Sequence, residues 1–237
     1  MNHGRTIAVL FAVAAGVLFQ QQNNLFAADN GDVGKIVEPE LAQELQVRVN
    51  SDQAARMAWI EFMVKHDISG KDRSSLDPQI VKKCDALTNK MEDEDRQNTI
   101  WLKNIVQKHG WPGKSLVGTK GASNAWLLVQ HADKDRDFQQ MCLKKMEALP
   151  KGEVSARDIA LLTDRILSGT GKKQKYGTQA LVQDGRVVAY PIEDEEHVDE
   201  RRRAIGMEPL AEYLSFMEKS YGLSKAPDSA KDDKKQK

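Results

Sequence analysis

The sequence is poor in the residues and motifs that mark common kinds of site. It has only two cysteines, with no CxxC pair and no Cys/His cluster, which excludes a structural zinc site built on such a cluster. It has no Gly-rich phosphate-binding loop and no GxSxG motif, so two common enzyme signatures are missing. It also has no excess charge, because 35 basic residues balance 35 acidic ones. Nucleic acid and an anionic membrane surface are therefore not expected partners.

The two cysteines, Cys84 and Cys142, leave two alternatives open. An even number of cysteines in an exported chain permits one disulfide. Each residue also lies in a predicted amphipathic helix, where a lone cysteine packs well as a small apolar side chain. A nucleophilic role would need Cys142 near a histidine, but Cys142 falls on an apolar stripe.

Long apolar runs are missing apart from residues 7–19. This uncharged run of 13 residues is too short for a transmembrane helix, which needs about 20. Arg5 precedes it and Ala27 and Ala28 follow it, so the pattern predicts an export signal over residues 1–28. We therefore expect a periplasmic or secreted protein with no stable membrane span after signal removal. The alternative is an uncleaved anchor, since Leu25 and Phe26 are not the small residues of a usual cleavage site.

The rest of the chain predicts one mainly α domain with a small β-hairpin near its C-terminal third. Residues 29–35 are a spacer, residues 36–223 the domain, and residues 224–237, rich in Lys, Asp and Ser, a disordered charged tail. Apolar spacing predicts helices over residues 38–66, 78–109, 122–132, 135–146 and 155–168, and from residue 209. Two apolar runs, residues 176–182 and 186–192, flank a Gln-Asp-Gly turn and predict the hairpin.

Four details of this prediction are specific enough to check. The first helix is expected to bury Leu41, Leu45, Val49, Met57, Ile60 and Val64, with an interruption near residues 50–53. The second is expected to bury Val81, Cys84, Leu87, Met91, Ile100, Trp101 and Ile105. Residues 111–121, with three glycines, are expected to form a long loop. Ser155 and Asp158 resemble a capping box.

Three polar-aromatic clusters are the part of the chain that looks like a site. They are His109-Gly-Trp-Pro112, Trp126-Leu-Leu-Val-Gln-His-Ala-Asp133 and Tyr176-Gly-Thr-Gln179. Each lies at the boundary of a predicted element, where side chains from separate elements can meet. Helix capping also requires polar residues at such boundaries. The candidate ligand-binding residues are His109, Trp111, Gln130, Asp133, Tyr176, Thr178 and Gln179.

His131 is the candidate catalytic residue, as a general base oriented by Asp164 or Asp133. The alternative is a hydrogen-bonded core histidine. His109, His131, Asp133 and Asp164 together give only a weak metal signal, because no pair has the two-His helical spacing of a zinc motif. We therefore predict no metal site and name no cofactor.

A set of short motifs resembles a known family. These are Asn98-Thr-Ile-Trp-Leu-Lys, His109-Gly-Trp-Pro, Ser115-Leu-Val-Gly, Ala125-Trp-Leu-Leu-Val-Gln-His-Ala-Asp, Leu162-Thr-Asp-Arg, Tyr176-Gly-Thr-Gln, Pro191-Ile-Glu-Asp, Val198-Asp-Glu-Arg-Arg and Pro209-Leu-Ala-Glu-Tyr-Leu. In this order they are similar to a bacterial family catalogued only as a domain of unknown function. The resemblance covers about residues 90–215. It implies a bacterial, mostly helical domain and brings no substrate, cofactor or catalytic residue.

Three functions remain in competition. The leading hypothesis is an exported helical domain that binds a small polar ligand or a peptide, since neutral hydrogen-bonding groups outnumber catalytic pairs in the clusters. The second is a hydrolase with His131 as general base. The third is a protein-interaction scaffold in which every cluster is a structural contact. A site requires His131, Tyr176 and Gln179 to line one pocket, and catalysis further requires a carboxylate within about 3 Å of His131. Whether the protein is an enzyme, and its oligomeric state, stay open.

Overall fold

The computed structural model describes residues 36–68, 71–183 and 186–220. Within them the chain forms seven α-helices and one two-stranded antiparallel hairpin, so the predicted mainly α fold is confirmed. The helices are α1 (Pro39–Lys65), α2 (Pro78–His109), α3 (Lys114–Gln130), α4 (Arg136–Glu147), α5 (Ala156–Gly169), α6 (Val198–Ala204) and α7 (Leu210–Ser220). The predicted export signal, the spacer and the charged tail lie outside the described residues.

Helix α1 packs against α2 and α3 and is continuous, so the predicted interruption at residues 50–53 is wrong. Its first half buries Leu41, Leu45 and Val49 as expected. In its second half the buried face differs from the prediction, because Met57 and Val64 are exposed. The stripe continues instead at three- and four-residue steps through Asp52, Arg56, Trp59 and Met63. Two charged residues therefore occupy the buried face of this helix.

Helix α2 begins and ends where the sequence predicts. The Asp77 carboxylate accepts a hydrogen bond from the backbone N–H of Gln79 at 2.7 Å, and Gly110 ends the helix with a φ of 76°. The buried face of its C-terminal half is rotated from the prediction. Ile100 is exposed, while Leu102 and Val106 contribute to the main core.

Helix α3 starts at Lys114, so the long loop predicted over residues 111–121 is wrong. A distant residue caps this helix: the Glu153 carboxylate accepts hydrogen bonds from the backbone N–H and the hydroxyl of Ser115, each at 2.9 Å. Gly118 has a φ of 74° and kinks the helix. At Gly121, a Cβ atom would lie 2.7 Å from Cβ of Val117. These glycines therefore allow a kinked helix. In the sequence, the same glycines resemble those of a loop.

The two cysteines are free and lie in different clusters of apolar side chains. Cys142 is fully buried in the main core, where burial raises the pKa of its thiol to about 12. Sγ of Cys84 lies 3.7 Å from Sδ of Met63. Of the two alternatives for the cysteines, the structure therefore has the packed apolar side chains and not the disulfide.

The hairpin is shorter than predicted. Strand β1 (Ala180–Gln183) pairs with β2 (Arg186–Ala189) in the register Ala180↔Ala189. Before the hairpin, the Gln174 amide donates to the carbonyls of Gln179 at 2.9 Å and Tyr190 at 2.8 Å. Helix α7 packs on the hairpin through Tyr213 and Met217.

Two smaller findings complete the fold. Ser155 precedes α5 as its N-cap residue, but its side chain makes no capping hydrogen bond, so the predicted capping box is not formed. Among the described helices, none combines the length and the apolar character needed to cross a membrane.

Candidate functional site

The kinked helix α3 places His131 in the interior. Its N-terminal part packs against α1, and its last turn is almost entirely buried, so the chain leaves the helix at His131 inside the protein. His131 is 4% exposed. Its Nδ1 lies 3.0 Å from Oδ1 of Asp52, which is 1% exposed. The candidate base therefore has a buried carboxylate within hydrogen-bond distance.

Arg56 joins this pair to a second carboxylate. Its Nε lies 3.1 Å from Nδ1 of His131 and 3.4 Å from Oδ2 of Asp52. One of its terminal nitrogens binds the carboxylate of Asp95 on α2 and lies 3.4 Å from Oδ1 of Asp52. The guanidinium is thus surrounded by two carboxylates and one imidazole. We call Asp52, Arg56, Asp95 and His131 the buried cluster.

The pKa values of the two carboxylates in the buried cluster are shifted in opposite directions. Burial alone would raise the pKa of Asp52, but His131 and Arg56 outweigh it and hold that pKa below its usual range. Burial raises the pKa of Asp95, the neighbouring charge of Asp52 adds to the rise, and Arg56 only partly offsets both. Asp52 is therefore the more firmly ionised of the two, which suits it to accept a hydrogen bond from the imidazole.

The contacts of Nδ1 favour one tautomer of His131. A carboxylate oxygen 3.0 Å from Nδ1 is best matched by a proton on that nitrogen. In this tautomer the Nε–H of Arg56, which lies 3.1 Å from Nδ1, donates instead to Oδ2 of Asp52 at 3.4 Å. With the proton on Nδ1, Nε2 carries a lone pair. Nε2 is buried and has no hydrogen-bond partner among the described residues, and such a group costs about 1–3 kcal/mol.

His131 and Arg56 form part of the wall of a pocket of about 690 Å³. The pocket lies between the middle of α2 and the segment joining α3 to α4, with one residue each from α1, α4 and α5. Its lining is Arg56, Met91, Glu92, Asp93, Asp95, Arg96, Thr99, Ile100, Lys103, His131, Ala132, Asp133, Lys134, Asp135, Arg136 and Arg165. Only His131 carries a ring among these residues.

Asp133 lies in the same pocket wall and is held by two arginines. Nε of Arg165 donates to its carboxylate at 2.8 Å, a terminal nitrogen of Arg165 binds the second oxygen, and Arg136 donates at 2.9 Å. Burial opposes ionisation, but Arg165 and Arg136 lower the pKa of Asp133 to about 2. The Gln139 amide also donates to this carboxylate, at 3.3 Å. Asp133 is thus a fixed anion that positions two guanidinium groups.

Asp164 does not orient His131, in contrast to the prediction. Its two carboxylate oxygens accept hydrogen bonds from the backbone N–H groups of Lys175, Tyr176 and Thr178 at 2.7–3.2 Å. The carboxylate that contacts His131 is Asp52. Asp164 instead fixes the segment that leads into the hairpin.

The Tyr176-Gly-Thr-Gln179 cluster is part of this second assembly and does not line the His131 pocket. The carbonyl of Thr178 accepts from the hydroxyl of Tyr213 at 3.0 Å, and the carbonyl of Tyr176 accepts from Arg202 at 2.6 Å. The side chain of Gln179 donates to the hydroxyl of Thr178 at 3.0 Å. These contacts fit the alternative in which the cluster is a structural contact.

The remaining candidates also lie outside the pocket lining. Trp111 is buried in the main core. Nδ1 of His109 lies 3.9 Å from a carboxylate oxygen of Glu38. Gln130 is buried, and its carbonyl accepts from the Gln139 amide at 3.1 Å. Of the nine sequence candidates, the structure brings only His131 and Asp133 to the pocket.

The geometry of the buried cluster invites comparison with a metal site. Asp52, Asp95 and His131 each offer a ligand atom, and these atoms lie within 4.8 Å of one another. However, the guanidinium of Arg56 contacts all three residues. Arg56 therefore already supplies the positive charge that the two carboxylates require, and a metal ion would have to displace it. The residues do not fit a metal ion while Arg56 keeps this position.

Three residues of the buried cluster were missed by sequence reasoning: Asp52, Arg56 and Asp95. The sequence does contain a pattern that indicates Asp52 and Arg56. They stand four residues apart and continue the spacing of Leu45 and Val49 on the buried face of α1. Charged residues in phase with an apolar stripe are expected to be buried and paired. Asp95 had a weaker signal of the same kind, since it stands three residues before Asn98 and seven before Leu102 on α2 and is half-buried.

A family model described as a family of unknown function, DUF6624, matches residues 39–226. The chain belongs to this family. The match extends beyond the region in which the motifs were noticed, and it includes α1 with Asp52 and Arg56. No curated protein and no solved structure matches the chain significantly. The family gives no function, so a function must be argued from the buried cluster and its pocket.

Proposed function

We propose that the protein is a hydrolase of a small, polar, uncharged substrate, with His131 as general base. The observation that carries this proposal is the hydrogen-bond distance of 3.0 Å between Nδ1 of His131 and buried Asp52. A carboxylate on one ring nitrogen fixes the tautomer and leaves the other nitrogen to take a proton. Nε2 is that other nitrogen, and it has no partner among the described residues.

The charge around His131 suits a base that becomes positive during the reaction. Two carboxylates, Asp52 and Asp95, surround one guanidinium, Arg56. An imidazolium formed at His131 would therefore be attracted by an excess of negative charge, at short distance and in a buried environment. Asp52 contributes most, because it contacts the ring directly.

The lining of the pocket supports an uncharged substrate. Six basic and five acidic side chains line it, and buried Asp52 behind Arg56 supplies a sixth carboxylate. Most of these charges are paired with one another, as in Lys134 with Glu92 and Arg165 with Asp133. Such a balanced wall gives no net field to attract a polyanion. Groups of both signs can instead hydrogen bond to hydroxyl, amide or ester groups.

Water is the proposed nucleophile. The lining contains one hydroxyl, on Thr99, and it donates to the backbone carbonyl of Asp95 at 2.7 Å. It contains no serine and no cysteine. In the proposed step, Nε2 of His131 accepts a proton from water while the water oxygen bonds to the electrophilic atom of the substrate. The bond to the leaving group then breaks, and the leaving group takes the proton from His131.

One observation favours a second function, which is ligand binding without catalysis. Nε of Arg56 lies 3.1 Å from Nδ1 of His131. If Nδ1 accepted a hydrogen bond from Arg56, the proton of the neutral ring would be on Nε2. His131 would then donate a hydrogen bond to a ligand and would not act as a base.

The tautomer of His131 distinguishes the two functions without a known substrate. We would record ¹⁵N spectra of histidine-labelled protein at neutral pH and assign His131 by its loss in the His131→Gln variant. The proposal expects a proton on Nδ1 and none on Nε2, and a changed tautomer population in Asp52→Asn. A neutral ring with its proton on Nε2 in the wild type would refute the base and support binding alone.

Catalysis is tested with chromogenic neutral esters, amides and glycosides. For any substrate that is hydrolysed, Asp52→Asn and His131→Gln are expected to lower kcat by about 10²–10⁴-fold. His66→Gln is the matched control, because His66 lies at the end of α1 and outside the pocket lining. Equal activity of the His131 variant and the control would refute the proposed role.

A further inference from the structure

A second cavity, of about 610 Å³, lies beside the His131 pocket. Its walls come from the C-terminal half of α2 and from α4. Lys103 and Asp135 line both cavities. These two side chains form an ion pair. The pair therefore stands at the boundary between the two cavities.

The lining residues show that the two cavities lie one after the other along α2. Five of the ten lining residues on α2 recur at three- and four-residue steps, which places these five on one face of the helix: Glu92, Arg96, Thr99, Lys103 and Gln107. At 1.5 Å per residue this face extends for about 22 Å. On α4 the lining residues Phe138, Met141 and Lys145 follow the same spacing. The two cavities are thus parts of one groove along α2, with the segment joining α3 to α4 opposite at one end and α4 opposite at the other.

The ion pair that separates the two cavities contributes little stability. The side chains of Lys103 and Asp135 are 47% and 30% exposed, and ion pairs that are this accessible to water contribute little to stability. Nζ of Lys103 also lies 5.5 Å from the centre of the Phe138 ring, over its face. A ligand that displaces the lysine therefore gains contact with an aromatic ring at little cost.

The two parts of the groove differ in character. The second cavity includes Val106, Phe138 and Met141, and Met141 is 41% exposed. Its charged residues balance, with two lysines and two aspartates. The His131 pocket is polar and also balanced. The groove therefore has a polar end and an apolar end, with no net charge at either.

We propose that the second cavity is a binding subsite for the apolar end of an elongated, uncharged ligand. The polar end of the same ligand lies at His131, so this inference rests on the proposed function for that end. The ligand class is an amphipathic molecule with a hydrogen-bonding head group and an alkyl or aryl tail. Each methylene buried in the subsite is expected to tighten binding by about three- to fourfold.

Methionine methyl groups report on the two ends separately, because Met91 lines the His131 pocket and Met141 lines the second cavity. We would titrate [¹³C-methyl]methionine-labelled protein with acetamide and with 4-phenylbutanamide. Acetamide is expected to shift Met91 alone. The longer amide is expected to shift both methyl signals and to bind at least tenfold more tightly. Met141→Lys should remove this gain, while Met57→Lys, at a similarly exposed methionine on α1, should retain it.

The outcomes separate the two proposals. If acetamide shifts Met91 but the longer amide binds no more tightly and leaves Met141 unchanged, the subsite is overturned and the proposed function stands. If the longer amide shifts Met141 alone, the groove is not continuous and the subsite is again overturned. If neither amide affects Met91 or the ¹⁵N signals of His131, the proposed function and the subsite both fail.

Discussion

Replacement of Arg56 by leucine tests the physical basis of the buried cluster. Arg56 is 6% exposed and its guanidinium contacts both Asp52 and Asp95. Leucine keeps the apolar part of the side chain but leaves buried Asp52 and half-buried Asp95 facing one another. Removal of one partner from a buried ion pair costs about 3–5 kcal/mol. Since domains of this size are stabilised by only about 5–15 kcal/mol, the loss should be large but measurable.

The effect of Arg56→Leu should depend on pH, with a sign set by Asp52. In the wild type the pKa of Asp52 is below its usual range, so its stabilising effect is present above the unfolded-state pKa and lost as pH falls through the folded-state pKa. Without Arg56 the pKa of Asp52 rises. Each unit of that rise adds about 1.4 kcal/mol to the loss at neutral pH. At pH 4 wild-type Asp52 is still ionised, because its pKa is below the usual range, but in the variant the raised pKa allows Asp52 to take up a proton, and this part of the loss becomes smaller.

The assay is urea unfolding followed by circular dichroism at pH 7 and at pH 4. The free energy of unfolding should fall by about 3–5 kcal/mol at pH 7 and by clearly less at pH 4. Arg96→Leu is the control, because the Arg96–Asp93 pair is well exposed and should contribute at most about 1 kcal/mol. A loss of equal size at both pH values would refute the electrostatic explanation and leave only lost packing.

Other predictions concern residues outside the buried cluster. Asp164→Ala removes the acceptor of three backbone N–H groups and should cost about 2–4 kcal/mol, with faster hydrogen exchange at residues 175–178. Gly177→Ala should cost about 1–3 kcal/mol in urea unfolding, since Gly177 has a φ of 68°. Asp133→Asn should lower the free energy of unfolding above about pH 4 and have little effect on it near pH 2, because the wild-type pKa of Asp133 is about 2. A thiol reagent should modify Cys142 only after unfolding, since it is fully buried and its pKa is about 12.

The fold was predictable where local sequence controls local structure. Asp77 and Pro78 define the start of α2 because a capping carboxylate and a fixed φ act within one turn. The prediction of α3 holds for its buried second part, from residue 122, and fails for residues 114–121, because the first turn is capped by Glu153, which lies 38 residues from Ser115. No local pattern contains that contact. Gly118 and Gly121 then resemble loop residues although they belong to a kinked helix.

The candidate site was predictable only in part, for a similar reason. His131 and Asp133 were identified because a polar group at the end of an apolar helix is conspicuous in the sequence. The assignment of Asp164 to His131 failed because sequence does not show which carboxylate is near. Asp164 has backbone N–H partners close to it in the chain. The carboxylate that meets His131 is Asp52, 79 residues away.

The sequence by itself determined the mainly α fold, the hairpin and the membership of a family without known function. Helical spacing, turn residues and motif order are local features of the sequence, so they can be recognised without the tertiary structure. The tertiary structure alone decided the site. Packing of α1 against α2 and α3 brings Asp52, Arg56, Asp95 and His131 together in a buried space. In that space each charge must find a partner, and the partners come from two helices, α1 and α2, and from the end of α3. The same packing left Nε2 of His131 buried and without a partner among the described residues, in a side chain that lines a pocket.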